Sequence, residues 1–161
     1  MPRKQKIRWP RRPPRLSRLF DNAPPLYFVT FNCYKRRHLL AHPEVHEAFR
    51  TFCFKAQEHA IAVGRYVIMP EHIHLFVAFP RVGITLPSWV GSLRNVIGKR
   101  LLKLGISKPH WQEGFFDHLL RGRESYSQKW NYVRMNPVRA KLCETPETWP
   151  YQGEIVWLPF D

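Results

Sequence analysis

The sequence predicts an α+β fold, a ferredoxin-like sandwich in which an antiparallel sheet carries two helices on one face and an additional C-terminal helix follows. Two kinds of segment indicate this fold: short runs rich in β-branched and aromatic residues, and longer amphipathic runs with apolar residues three and four apart. Their order, β-α-β-β-α-β-α, is typical of that sandwich. The 161 residues contain no internal repeat and are most simply one globular domain with a sizeable core.

The first half of the predicted domain contains three strands and one helix. Residues 26–34 (LYFVTFNCY) are β-branched and aromatic and predict the first strand. Residues 42–62 predict a helix, because Pro43 suits a first helical turn and apolar residues then recur at helical spacing. Residues 64–70 (GRYVIMP) and 72–80 (HIHLFVAFP) predict two strands that are close enough in sequence to form a hairpin.

The second half predicts a helix, a strand and a third helix. Residues 85–105 have an apolar stripe, and the opposite face of this second helix is basic. Residues 110–120 (HWQEGFFDHLL) predict the fourth strand, and residues 123–135 predict a helix that ends at Asn136-Pro137. We expect this third helix on the open face of the sheet. The tail after Leu142 is rich in Pro and Trp, and we expect it to pack as an irregular cover.

Charge and composition restrict the function. The formal net charge is +14, and residues 1–18 contain eight basic residues and no acidic one. A polyanion such as nucleic acid is the natural partner of such a chain, although a basic arm can also serve solubility alone. The basic residues of this proline-interrupted arm are Arg3, Lys4, Lys6, Arg8, Arg11, Arg12, Arg15 and Arg18.

Several classes of protein are excluded by what the sequence lacks. No apolar run approaches the roughly 18 residues of a membrane span, and no apolar signal-peptide core follows the basic arm. The three cysteines are an odd number without a C-x-x-C pair, so neither a disulfide framework nor a zinc ribbon is indicated. We therefore expect a cytoplasmic protein without a membrane partner.

Two histidines stand out in the third predicted strand. Side chains alternate along a strand, so His72 and His74 share one face while Ile73 and Leu75 point to the core. Two neutral imidazoles on a rigid strand can bind one divalent ion. By itself the pattern is a weak signal of a metal site, and it is also explained by two polar residues on a half-exposed strand.

A tyrosine on the third helix is the second unusual feature. Tyr126, Trp130 and Val133 have helical spacing and predict the buried stripe of that helix. Tyr132 lies about 100° away from Val133 on an ideal helix, and Asn136 falls one turn beyond Tyr132 on the same side. Tyr132 is thus expected to face something other than the helix's core contacts, although an ordinary amphipathic tyrosine would have the same placement.

Three segments together resemble one known family. "MPEHIHLF" (residues 69–76), "WQEGFFDHLLR" (111–121) and "YVRMNPVRAKL" (132–142) are similar to motifs of the REP-associated tyrosine transposases, which are relatives of the single-tyrosine HUH transposases of the IS200/IS605-like superfamily. The resemblance spans roughly residues 26–149, and the segments occur in the family's order. It implies the ferredoxin-like sandwich already predicted from the order of elements.

The resemblance also implies a reaction and its residues. His72, His74 and Asn136 would bind a divalent metal, Mg²⁺ or Mn²⁺, and Tyr132 would be the nucleophile that cleaves single-stranded DNA through a 5′-phosphotyrosine intermediate. The expected partner is single-stranded DNA with hairpin-forming repeats, bound by a monomer or homodimer associated with the nucleoid. We expect a flexible arm at residues 1–22, the HUH transposase-like catalytic domain at 23–143 and a tail at 144–161 that packs on it.

Other roles remain open at this stage. His118, Arg121 and Arg123 are further candidates for the site or for DNA binding, and Asn136 is alternatively an N-cap of a short helix that begins at Pro137. Glu71 is expected on the face opposite the histidines and outside the site. The competing function is a catalytically silent DNA- or RNA-binding protein of the same fold. A zinc deaminase is excluded, because it requires H-x-E together with P-C-x-x-C, and the P-C-x-x-C motif is missing.

Overall fold

A computed structural model describes residues 24–121 and 125–160 of the chain. The observed order of elements, β-α-β-β-α-β-α with two short additions at the end, confirms the predicted ferredoxin-like class. The strands are β1 (Leu26–Asn32), β2 (Ala62–Ile68), β3 (His72–Ala78), β4 (Phe116–Leu119) and β5 (Gln152–Glu154). The helices are α1 (Pro43–Lys55), α2 (Leu86–Lys103), α3 (Tyr126–Val133) and α4 (Asn136–Arg139).

The five strands form one sheet in the order β4-β1-β3-β2-β5, and every neighbouring pair is antiparallel. β1 and β3 are the central pair. Their register places Asn32 opposite His72, Thr30 opposite His74 and Phe28 opposite Phe76. Because residues that face each other across two strands share one side of the sheet, this register determines which side chains surround the histidines.

Helices α1 and α2 cover one face of the sheet and form the main core with it. Each helix begins where a side chain accepts a backbone N–H: the His42 ring accepts from Glu44, and the Thr85 hydroxyl accepts from Ser88. The ring centroids of Phe49 on α1 and Tyr66 on β2 are 4.6 Å apart. The fully buried residues of this layer include Val45, Phe49, Cys53, Leu93, Ile97, Leu101, Ile73 and Leu75.

Helix α3 lies on the opposite face, as predicted. Its Tyr126 ring is 4.8 Å from the Phe76 ring, and its Trp130 ring is 6.4 Å from the same phenylalanine. The ammonium of Lys129 lies 5.0 Å from the centre of the Phe28 ring. Tyr126 and Val133 are 2% and 3% exposed, which confirms the apolar stripe that the sequence predicts for this helix. The packing of α3 places the segment that follows it beside the histidine face of the sheet.

The C-terminal tail differs from its prediction. Instead of an irregular cover, residues 152–154 form β5, which pairs with Arg65, Tyr66 and Val67 at the edge of β2. The indole N–H of Trp149 donates to the carbonyl oxygen of Ile68 at 3.0 Å. An unpaired strand edge carries backbone groups that need partners, and the tail supplies them to β2.

Two further observations concern the predicted basic arm and the lengths of the helices. The basic arm predicted at residues 1–22 lies outside residues 24–121 and 125–160. Within those ranges, every helix is too short or too polar to span a lipid bilayer.

Candidate functional site

The centre of the site is the histidine pair at the start of β3. Alternation along the strand puts both rings on the α3 face, and the Nε2 atoms of His72 and His74 are 3.0 Å apart. Two nitrogens bound to one ion at about 2.1 Å and near right angles would have about this separation. The pair is therefore arranged so that a single ion can contact both rings.

The other nitrogen of each ring is held by the protein. The Nδ1 atom of His72 donates to a carboxylate oxygen of Glu71 at 2.9 Å, and Nδ1 of His74 is hydrogen bonded to the Thr30 hydroxyl at 2.6 Å. A carboxylate accepts but does not donate, so His72 carries its proton on Nδ1 and presents a lone pair at Nε2. Such partners orient metal-binding imidazoles and select their tautomer.

The prediction that Glu71 lies outside the site is wrong. It relied on side-chain alternation, but β3 begins at His72 and Glu71 belongs to the preceding turn, where alternation does not apply. Thr30 was missed because its partnership with His74 comes from the register of β1 against β3. The one available signal for Glu71 was its position directly before the H-x-H pattern.

The environment keeps both imidazoles neutral at physiological pH. Burial lowers the pKa of His74 to about 3, and the positive charge that His72 carries when protonated lowers it further. Burial also lowers the pKa of His72, although the Glu71 carboxylate opposes that shift. The ring of Phe28 stacks on His74 with centroids 5.3 Å apart and adds to this burial. Neutral imidazole is the form that binds metal.

Tyr132 is accessible, as expected of a nucleophile that must reach a large substrate. Its side chain is 67% exposed, and it borders an open cavity of about 350 Å³ together with Lys129 and Ser125. The guanidinium of Arg139 lies 4.2 Å from the centre of the Tyr132 ring. Tyr126, the other tyrosine of α3, is buried and its hydroxyl accepts the backbone N–H of Arg65 at 2.7 Å, so it is part of the core.

Comparison with known proteins supports the family indicated by these residues. No family model matches the chain. The REP-associated tyrosine transposase of Escherichia coli K12 is 23% identical over 126 residues, which are 78% of this chain and 73% of that protein. A protein of Haemophilus influenzae, whose name also contains "REP-associated tyrosine transposase", is 24% identical over 124 residues. The match covers 68% of this chain and 66% of that protein. This chain is therefore similar in sequence to proteins named as REP-associated tyrosine transposases.

A solved structure gives the same result for the fold. The structure described as a REP-associated tyrosine transposase bound to a REP hairpin matches with a TM-score of 0.61, at 18% identity and 96% coverage of both chains. The ferredoxin-like arrangement is therefore confirmed, and the sequence comparisons confirm the predicted resemblance to the REP-associated tyrosine transposases.

The third metal ligand that the family resemblance implies, Asn136, has a different contact here. Its side-chain oxygen accepts from the guanidinium of Arg139 at 2.6 Å, and the same guanidinium donates to the backbone carbonyl of Tyr132 at 2.9 Å. Asn136 is the first residue of α4, which begins without a side-chain cap, so the alternative N-cap role is wrong. In the described part of the chain, no three His, Cys, Asp or Glu side chains are grouped as a metal site. The ligand role of Asn136 stays a prediction.

The remaining candidates lie around this centre or outside the described residues. His118 on β4 pairs with Phe28, whose ring stacks on His74, so His118 shares the histidine face with β1 between them. Arg121 is exposed after β4. Arg123 and the basic arm belong to segments outside residues 24–121 and 125–160. The roles of all these residues stay predictions.

Proposed function

We propose that this chain is a metal-dependent endonuclease and strand transferase for single-stranded DNA. One observation carries the proposal: the two imidazoles of the H-x-H strand direct their Nε2 atoms at each other, while Glu71 and Thr30 hold both Nδ1 atoms. The two Nε2 atoms lie within hydrogen-bonding distance of each other, and a shared cation would take the place of that hydrogen bond. Together with the exposed Tyr132, this arrangement provides an ion-binding pair and a nucleophile on one face of the sheet.

The donor set suits a divalent cation. His72 and His74 would hold Mg²⁺ or Mn²⁺, with Asn136 proposed as the third protein ligand, because neutral imidazoles at both positions can bind a cation without first losing a proton. When bound, such an ion withdraws charge from a phosphodiester and orients it. Glu71 would counter part of the positive charge through the His72 ring.

Tyr132 would carry out the covalent step. Its phenolic oxygen attacks the phosphorus, the bond from phosphorus to the 3′-oxygen breaks, and the products are a 5′-phosphotyrosine and a 3′-hydroxyl. The phenol proton leaves to solvent and the departing 3′-oxygen takes up a proton. Attack by a second 3′-hydroxyl on the phosphotyrosine reverses these bond changes and joins two strands. Arg139, 4.2 Å from the Tyr132 ring, would stabilise the phenolate electrostatically.

The proposed substrate is a DNA hairpin with a single-stranded flank. The chain has 26 basic and 12 acidic residues, which favours a polyanionic partner. The structural relative is described as bound to a REP hairpin. By analogy, hairpin-forming repeats are the proposed target of this chain.

Covalent capture tests the proposal. Wild-type protein incubated with Mn²⁺ and labelled hairpin oligonucleotides should form a DNA adduct that survives denaturing electrophoresis. Tyr132→Phe should bind the same DNA with unchanged affinity and form no adduct, because the change removes one oxygen and little volume. Tyr151→Phe, at a partly buried tyrosine of the C-terminal tail away from the site, is the control and should react as the wild type does. An adduct with Tyr132→Phe refutes the nucleophile. Wild-type binding without any adduct supports the silent binding protein instead.

A further inference from the structure

A basic cavity lies on the opposite side of the sheet from the histidine pair. It has a volume of about 390 Å³ and is formed by one face of α2 and the segment of residues 108–111. Arg94 and Lys99 contribute from the helix, and Lys108 and Trp111 contribute from the segment. None of the residues lining this cavity is acidic.

The charges in this cavity are not neutralised by the described part of the protein. Neither lysine forms an ion pair with a carboxylate among residues 24–121 and 125–160, and both lysines are exposed. The guanidinium of Arg94 lies over the Phe31 and Trp111 rings, 5.3 and 5.9 Å from their centres, and its Nε has no hydrogen-bond acceptor among the described residues. An anion in this cavity would stabilise three cations that lack counter-charges.

The walls of the cavity are held in place without a ligand. The indole N–H of Trp111 donates to the carbonyl oxygen of Arg94 at 3.1 Å and joins the segment to α2. The guanidinium of Arg37 donates to the carbonyl oxygens of Ser107 and Pro109, both at 2.8 Å. Because these contacts already order the backbone of the cavity wall, ligand binding would cost the protein little backbone conformational entropy.

A short basic turn connects this cavity to the histidine side of the sheet. The turn Tyr34–Arg36 follows β1, and the backbone N–H of Tyr34 donates to the carbonyl oxygen of His110 in the cavity wall at 2.9 Å. Arg36 donates to the side chain of Asn32 at 2.5 Å, and Asn32 lies opposite His72 in the sheet.

The backbone of this turn is held in an unusual conformation. Lys35 and Arg36 have φ angles of 48° and 56°, in the left-handed region that residues with a Cβ seldom adopt. Such strained positions occur preferentially at functional sites.

We propose that the α2 cavity binds a backbone phosphate of the DNA strand whose neighbouring segment reaches the histidine pair, with the Tyr34–Arg36 turn as the path around the end of β1. The ligand is a phosphodiester group of a nucleic acid strand, and the inference rests on the proposed function. The cavity would thus fix the substrate at a second point, away from the cleavage site. Two fixed points orient a flexible strand better than one contact at the reacting phosphate.

Paired charge removal with a matched control tests this cavity. The Lys99→Gln/Lys108→Gln variant removes two of its charges, and Lys55→Gln/Lys103→Gln removes two exposed charges beside the neighbouring α1–α2 cavity. Each exposed lysine contact with phosphate contributes up to about fivefold in affinity, so the first variant should bind a hairpin oligonucleotide about tenfold more weakly at low salt. Its slope of log affinity against log salt should fall by about 1.4 for single-stranded contacts. The control variant should match the wild type.

Neutral phosphate analogues identify the contact itself. A series of oligonucleotides, each with one methylphosphonate, should show one or two positions that weaken binding to the wild type and to the control variant. Those positions should have no effect on Lys99→Gln/Lys108→Gln, because the partner charges are already absent. Equal losses for both double variants, or the same sensitive positions in all three proteins, would overturn the proposed cavity.

Failure of the cavity is distinguishable from failure of the proposed function. The cavity is tested by affinity and needs no chemistry, whereas the function is tested by the covalent adduct at saturating DNA. If the wild-type protein shows the expected methylphosphonate pattern but forms no adduct, the proposed phosphate cavity is supported and the proposed enzymatic function is refuted. If Lys99→Gln/Lys108→Gln forms the adduct and binds DNA with unchanged affinity, the proposed enzymatic function is supported and the proposed phosphate cavity is refuted.

Discussion

Replacement of Glu71 by alanine tests the role of a residue that the sequence did not place in the site. The Glu71 side chain is 19% exposed, the His72 side chain is 13% exposed, and their hydrogen bond is 2.9 Å long. A charge-assisted hydrogen bond in such a partly buried place contributes about 1.5–3 kcal/mol. Because water can enter the vacated space in Glu71→Ala, we expect the lower end of this range, which is about a 10- to 30-fold weaker affinity for Mn²⁺.

The assay is calorimetric titration of the protein with Mn²⁺, supported by the shift in thermal unfolding on metal addition. At 100 times the wild-type Kd, bound metal should stabilise the wild type by about 2.7 kcal/mol and Glu71→Ala by about 1 kcal/mol. Comparing each variant with and without metal cancels any loss of stability in the metal-free protein. Glu58→Ala, at an exposed carboxylate outside the site, removes the same charge and serves as the control.

The result that refutes this reasoning is a wild-type affinity for Mn²⁺ in Glu71→Ala, provided that His72→Ala abolishes binding. The hydrogen bond to Glu71 would then have no part in preparing the ring for a metal. Glu71→Gln gives a finer comparison, because its carbonyl oxygen still accepts from Nδ1 but without the negative charge. Its affinity should lie between those of the wild type and Glu71→Ala.

Three further predictions follow from the described contacts. Burial, and the charge of Arg50 beside it, lower the pKa of His46 to about 4, so the unfolded chain binds a proton between pH 6.5 and 4 that the folded chain does not. Stability should therefore fall by about 3 kcal/mol as the pH drops through this window, and His46→Gln should flatten that part of a urea-unfolding profile. A Cβ at Gly64 would clash with the Tyr126 hydroxyl, so Gly64→Ala should lower the free energy of unfolding by about 1–3 kcal/mol, displace α3 and reduce adduct formation. An unchanged melting temperature would contradict this packing. Asn136→Ala should weaken Mn²⁺ binding in calorimetric titration if the side chain is the third ligand, whereas an unchanged affinity would assign that position elsewhere.

The faces on which the histidines and the tyrosine lie were predictable, because they depend on local geometry within one strand and one helix. Alternation along a strand places His72 and His74 on one face whatever the rest of the chain does. Helical periodicity likewise separates Tyr132 from the buried stripe that contains Tyr126 and Val133, and the observed exposures agree. The order of elements restricted the topology to few possibilities, since connections between elements are short and regular.

Contacts between distant segments were decided only by the tertiary structure. Thr30 reaches His74 because β1 and β3 adopt one register out of several that their alternating patterns allow, and a shift by two residues would keep every apolar side chain on its face. β5 forms because the edge of β2 offers unpaired backbone groups. No local pattern in residues 152–154 predicts this strand.

The sequence by itself therefore determined the class of fold, the faces of its elements and the residue types of the site. The tertiary structure decided which partners hold those residues: Glu71 from a turn, Thr30 from a neighbouring strand, and Arg139 between Tyr132 and Asn136. The physical reason is that periodicity follows from backbone geometry within one element. Hydrogen bonds between elements depend instead on register, turn conformation and packing, which are set by the free energy of the whole chain.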